Sequence, residues 1–224
     1  MSVKENIIKI KENIALAALE SGRRVSDIKL VAVSKRVTPE RMQEAIECGT
    51  KSFGENYVQE FRQKITAVHG VEWHFIGQLQ SNKVKYIFRD IYMLHSLDRL
   101  SLAKELDKRL SGENLVLKTL VQLNIGHEPQ KGGIMPEDAE KFLTQVSSYE
   151  ALDVCGLMCM PPFSNTREEN VRDFAAAKKI FDDMLGAGFN MRYLSMGMSG
   201  DYMDAIKQGA NIVRVGSAIF GERS

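Results

Sequence analysis

The sequence predicts an α/β protein of the (β/α)8, or TIM-barrel, class with an extra helix at its N-terminus, in a single domain over residues 1–224. Three observations lead there. Eight short apolar runs alternate with segments of helical pattern, the order expected of parallel βαβ units. The turn after the first run, "SKRVTPE", lacks the glycine-rich fingerprint of a doubly wound nucleotide-binding sheet, which shares that order. No linker, repeat or low-complexity tract marks a second domain in the 224 residues, a length at which α/β barrels often form one unit.

The elements follow from local pattern. Val3, Ile7, Ile10 and Ile14 recur at helical spacing among Lys4, Glu5, Lys9, Lys11 and Glu12. That is an amphipathic helix covering part of the domain, not a signal peptide or a membrane span. The first strand is expected over residues 30–34. Thr38 and Pro39 then supply an N-cap and a first-position proline, and Gly49 closes that helix. Further strands are expected at 52–55, 73–76, 92–95, 117–124, 154–158, 192–196 and 212–215. Ser81 precedes the helical "NKVKYIF"; Leu100, Ala103, Leu106 and Leu110 share one helix face; Pro136 opens "PEDAEKFLTQV". "TREENVRDFAAAKKIFDDML" repeats the amphipathic pattern before Gly186.

Lys plus Arg number 30 against 29 for Asp plus Glu, so there is no strong global field. Nucleic acid and acidic membrane are therefore not expected as main partners. The three cysteines lack disulfide spacing and suit a reducing cytosol. The four histidines are scattered, without metal-ligand spacing, and no metal site is expected.

In a barrel the functional rim lies at the C-terminal strand ends. There the sequence collects Lys35 after the first strand, Glu55, Asn56 and Tyr57 after the second, His74, Gly77, Gln80 and Asn82 around the third, and His95 and Ser96 around the fourth. Ser199 and Gly200 follow the seventh strand, just before a short helix near Asp201. Arg214 is the last polar side chain of the eighth strand, and Gly216 and Ser217 open a final helical turn. Singly, each has a plain reading. Lys35 is a solvated strand-end ammonium, Ser199 caps its helix, Gly216 turns the chain, His74 is a core histidine and Asn56 makes an Asx-turn. Together they describe something else. A lysine at the mouth of a closed sheet is partly desolvated, so its neutral amine becomes a nucleophile toward aldehydes. Loops after the last two strands are the usual anion site of this fold, and their Ser and Gly residues supply a hydroxyl and room for close backbone approach. An aldehyde carrying a phosphate satisfies both features, and pyridoxal 5′-phosphate (PLP) is such a molecule.

The motifs "LVAVSK", "FGENYVQE", "WHFIGQLQSNK", "GLM", "LSMGMSGD" and "VRVGSAIFG" closely resemble those of the pyridoxal phosphate homeostasis, or PLP-binding, proteins, relatives of the N-terminal barrel of alanine racemase. The resemblance spans nearly the whole chain, with the motifs in order. It implies a monomeric, cytoplasmic fold-type-III barrel that holds PLP as a Schiff base on Lys35. It further implies phosphate binding by Ser199, Gly200, Gly216 and Ser217, Arg214 facing the pyridine nitrogen, and Asn56 beside the ring. Lys131, in "NIGHEPQKGG", matches a family lysine that precedes glycine, and the sequence does not say whether it forms a second PLP site. "GLMCMPP", with Cys159, departs from the commoner small-residue version and is expected to alter the pocket wall.

Arginine has no acceptor and stays charged, so at the ring nitrogen Arg214 favours the unprotonated form and a weak electron sink. Racemisation needs a base on each face of Cα. In alanine racemase the second base comes from an added β-domain of a partner subunit, which this chain, ending at Ser224, is not expected to have. Tyr57 or His74 would have to serve instead. The first expectation is accordingly a PLP homeostasis and delivery protein with little or no catalysis and no catalytic residue, its partners being PLP and apo PLP-dependent enzymes. A slow PLP-dependent amino-acid racemase is the alternative, and a Schiff-base barrel enzyme acting on a phosphorylated sugar is a third reading.

Overall fold

The computed structural model describes residues 2–128 and 130–221 of the chain. Glu222, Arg223 and Ser224, the end of the chain invoked above, lie outside the described residues, as does Pro129 in the Lys131 loop.

Helix α1 (Val3–Glu20) starts at a capping box, in which Ser2 Oγ accepts from the Glu5 N–H and the Glu5 carboxylate accepts from the Ser2 N–H. Val3, Ile7, Ile10 and Ile14 form its buried stripe, joined by Ala17 and Ala18. A 3-10 turn (Val25–Asp27) leads into β1 (Lys29–Val33). The order continues α2 (Pro39–Glu47), β2 (Ser52–Glu55), α3 (Val58–Lys64), β3 (Glu72–Phe75), a 3-10 segment (Ser81–Tyr86), β4 (Met93–Leu97), α4 (Leu100–Ser111) and β5 (Leu117–Leu123). Then come a 3-10 turn (Pro136–Asp138), α5 (Ala139–Val146), β6 (Leu152–Cys159), α6 (Arg167–Gly186), β7 (Tyr193–Ser195), α7 (Tyr202–Lys207), β8 (Ile212–Val215) and α8 (Ser217–Phe220).

The eight strands are all parallel and close into a barrel in sequential order. Closure pairs β1 with β8, in the register Lys29↔Ile212 to Ala32↔Val215. Helix α1 packs against α8, α7 and α2, over that seam. Asn6 Nδ2 donates to Ile219 O at 2.8 Å, and Asn13 Nδ2 to Tyr202 Oη at 2.9 Å.

Strand alternation sorts side chains to two sides of the sheet. Val213, Val215, Trp73 and Phe75 join the large core between sheet and helices. Val31, Met93, Leu120, Cys155, Met158 and Ile212 form a smaller apolar cluster inside the barrel.

Local signals erred in a few places. The Thr38 hydroxyl makes no cap hydrogen bond, although Pro39 does open α2. The segment after Ser81 is 3-10, not α, and Pro136 opens only a 3-10 turn before α5. On α4 the exposed residue is Leu100, and Leu102 is buried beside Ala103, Leu106 and Leu110. Periods of 3, 3.6 and 4 differ little over one or two turns, so short apolar stretches do not separate them.

Candidate functional site

A cavity of about 1180 Å³ lies at the C-terminal strand ends. Lys35, Asn56 and Arg214 line it, and so do Ser199, Gly200, Gly216 and Ser217. The structure thus brings all seven residues together from the ends of four strands.

Lys35 follows β1 in a tight turn, closed by Val37 N–H donating to Ser34 O at 2.9 Å. It is half-buried and lines the cavity. Its neighbour Arg36 has φ +60°, a left-handed conformation that costs a non-glycine residue about 1–2 kcal/mol. The Arg36 N–H donates to Glu60 Oε2 at 2.6 Å.

Ser199 does not cap the helix that follows it. Asp201 Oδ1 takes the Met198 N–H at 2.6 Å, while Ser199 Oγ accepts from Gly216 N–H at 3.1 Å and Ala218 N–H at 3.3 Å. The hydroxyl therefore sits on converging backbone donors at the start of α8, as an anionic oxygen could. A Cβ at Gly200 would meet nothing within 4 Å, so this backbone is open to a ligand. Asp201 also lines the cavity, and burial raises its carboxyl above the usual range.

Arg214 is 3% exposed. Its guanidinium donates to Ser195 Oγ at 2.6 Å and to Cys159 O at 3.0 Å, both neutral acceptors. Burial pulls it down to about 10. Behind it a polar chain crosses the barrel interior. Ser195 Oγ lies 3.0 Å from His95 Nδ1, and His95 Nε2 lies 2.8 Å from His74 Nδ1. His74 Nε2 faces Glu72 Oε2 at 3.9 Å. With the Ser195 hydroxyl proton on His95 Nδ1, both neutral rings would carry their proton on Nε2; His74 Nε2 itself has no hydrogen-bond partner among the described residues. Burial pushes His95 well below the usual histidine value, helped by His74 and Arg214, and burial also lowers His74.

Asn56 Oδ1 is buried with no hydrogen-bond partner among the described residues. Gly77 holds this backbone close, since a Cβ there would lie 2.3 Å from Asn56 O.

Other rim residues go elsewhere. His74, His95 and Ser96 are buried in hydrogen bonds, Ser96 Oγ donating to Gly77 O at 2.6 Å. Tyr57, Gln80 and Asn82 are exposed. The "GLMCMPP" stretch does reach the cavity wall, through Met160, Pro161 and Pro162, while the Cys159 thiol is buried in the outer core, with burial pushing it up to about 12. Only the Cys159 carbonyl serves Arg214. Lys131 does line the cavity, its Nζ donating to Pro161 O at 3.2 Å and pairing with Glu128 at 2.5 Å. Sequence reasoning missed Gln78 and Gln122, which also line it; neither carries a local signal that separates it from an ordinary polar residue.

Comparison with known proteins agrees with this geometry. The family described as alanine racemase, N-terminal domain, matches residues 6–224. A pyridoxal phosphate homeostasis protein of Aquifex aeolicus (strain VF5) is 40% identical over 227 residues, covering 100% of this chain and 99% of that one. One from Escherichia coli (strain K12) is 38% identical over 231 residues, covering 99% and 97%. The structure of PipY from Synechococcus elongatus PCC7942 with PLP bound superposes with a TM-score of 0.81 at 33% identity, covering 95% of this chain and 100% of that one.

Proposed function

Because this chain belongs to the alanine racemase N-terminal domain family, and within it to the pyridoxal phosphate homeostasis proteins, we propose that its cavity binds PLP reversibly, with Lys35 as the residue of covalent attachment. PLP bound in the similar PipY barrel supports this reading. The observation that carries it is the meeting of an amine and an anion cradle in one cavity.

The residues fit the group. The amides of Gly216 and Ala218, now on Ser199 Oγ, with Gly200 and Ser217 alongside, take the phosphate. The orphan Asn56 Oδ1 offers an acceptor beside the ring. Arg214, a buried cation with neutral partners, donates to an unprotonated ring nitrogen. When bound, PLP supplies an aldehyde that an amine joins as a Schiff base with loss of one water, and adding that water back releases both. Lys35 presents the amine.

Homeostasis here is storage and hand-over to apo-enzymes, by a cytoplasmic monomer with little or no catalysis. The three free thiols, Cys48, Cys155 and Cys159, suit a reducing compartment. Against the slow racemase stands the placement of its two internal bases. Tyr57 is 50% exposed, and neither it nor His74 is among the residues lining the cavity.

The test is borohydride reduction of the protein with added PLP, followed by mass spectrometry of its peptides. A pyridoxyl group on Lys35 is expected, and Lys35→Ala should lose it while remaining folded. A protein that takes up no PLP, or carries it only on other lysines, overturns the reading. Steady conversion of L-alanine to D-alanine would replace the carrier with the racemase.

A further inference from the structure

Lys64, the last residue of α3, is 6% exposed, yet its ammonium is fully engaged. Nζ donates to Ser34 O at 2.6 Å, to Glu55 Oε1 at 2.7 Å and to Glu60 Oε2 at 3.1 Å. Those three bonds use all its protons. Glu55, fully buried at the end of β2, also accepts from Ser34 Oγ at 2.7 Å. Glu60 and Lys64 stand four residues apart, on one face of α3, and Glu60 takes the Arg36 N–H at 2.6 Å. The group thus grips the chain immediately before and immediately after Lys35.

That grip has something to oppose. Arg36 is held at φ +60° without being glycine, a conformation that persists only where its surroundings over-determine it. Ser34 O serves twice, accepting the Val37 N–H that closes the turn and the Lys64 ammonium that anchors it. The Ser34 N–H is in turn tied to Gly54 O at 3.0 Å. None of Glu55, Glu60 and Lys64 lines the cavity, so none touches a ligand there.

We propose that Lys64, braced by Glu55 and Glu60, is the positioning residue of Lys35: it pins the Ser34 carbonyl and locks the left-handed Arg36 turn that directs the Lys35 amine into the cavity. This rests on Lys35 being the residue that bonds PLP. Removing Lys64 alone would leave Glu55 as a lone buried carboxylate, so the informative variant is the double change Glu55→Gln with Lys64→Met, which removes both charges together.

Two quantities are measured on the purified full chain: the rate of borohydride-trapped pyridoxyl on Lys35 at fixed PLP, and the Kd for pyridoxine 5′-phosphate, which has the ring and phosphate but no aldehyde. The double variant should trap PLP about tenfold or more slowly, since a small displacement of a reacting group costs rate steeply. Its Kd for the alcohol analogue should stay at the wild-type value. Adding Arg36→Gly, which accepts φ +60° freely, should recover part of the rate. A folded double variant that traps Lys35 as fast as wild type overturns the proposal, and so does an equal loss in both quantities. If circular dichroism shows the double variant unfolded, Glu60→Ala decides, with slower trapping supporting the proposal and unchanged trapping overturning it. Failure of wild type to trap PLP on Lys35 would instead sink the proposed function.

Discussion

Arg214 on β8 donates to Ser195 Oγ on β7 at 2.6 Å, which leaves a buried guanidinium held by a hydroxyl and the Cys159 carbonyl. A cation so placed has donor capacity to give a ligand. Arg214→Leu should weaken PLP binding about tenfold to hundredfold, the worth of one hydrogen bond from a charged group. Fluorescence titration measures it, and an unchanged Kd would argue against Arg214 facing the ring.

The Ser199 hydroxyl rests on two amides at the start of α8. Ser199→Ala should weaken PLP about tenfold, by loss of a charge-assisted hydrogen bond to the phosphate. The affinity for pyridoxal, which lacks the phosphate, should not move. Parallel titrations separate the two, and equal losses for both ligands would mean general damage to the pocket.

Two glycines in the site make a contrast. A Cβ at Gly77 would stand 2.3 Å from a backbone oxygen, whereas one at Gly200 meets open space. Gly77→Ala should destabilise by about 1–3 kcal/mol, through forced backbone movement, and should disturb Asn56. Gly200→Ala should change stability by less than about 0.5 kcal/mol while reducing PLP affinity. Chemical denaturation and titration together check both, and a silent Gly77→Ala would count against the close approach.

Stability should fall in mild acid. His74 and His95 are wholly buried and held below their unfolded value of 6.5, chiefly by desolvation. Below pH 6.5 the unfolded chain binds protons that the folded chain refuses, so stability is full above that pH and is lost as pH falls toward the folded values. The slope approaches about 1.4 kcal/mol per pH unit for each histidine. Denaturation midpoints at pH 8, 7, 6 and 5 measure it. A His74→Gln, His95→Gln double variant should flatten the decline, and a wild-type curve flat to pH 5 would contradict the buried neutral pair.

Much of this molecule is legible in its one-dimensional order. The strand at Ser52–Glu55, the one at Ile212–Val215 and the buried stripe of α1 stand where pattern puts them, because side-chain period and turn chemistry are local properties of the chain. Lys35, Ser199 and Arg214 could be marked as strand-end residues for the same reason. That they face one cavity depends on β8 closing against β1, a contact between residues some 180 positions apart. The supports of the site were not legible at all. Lys64 reads as an ordinary helix lysine, and His95 and Ser195 lie 100 residues apart. Their roles come from burial, which favours the pairing of polar atoms that barrel register brings together, and no spacing in the sequence encodes that choice.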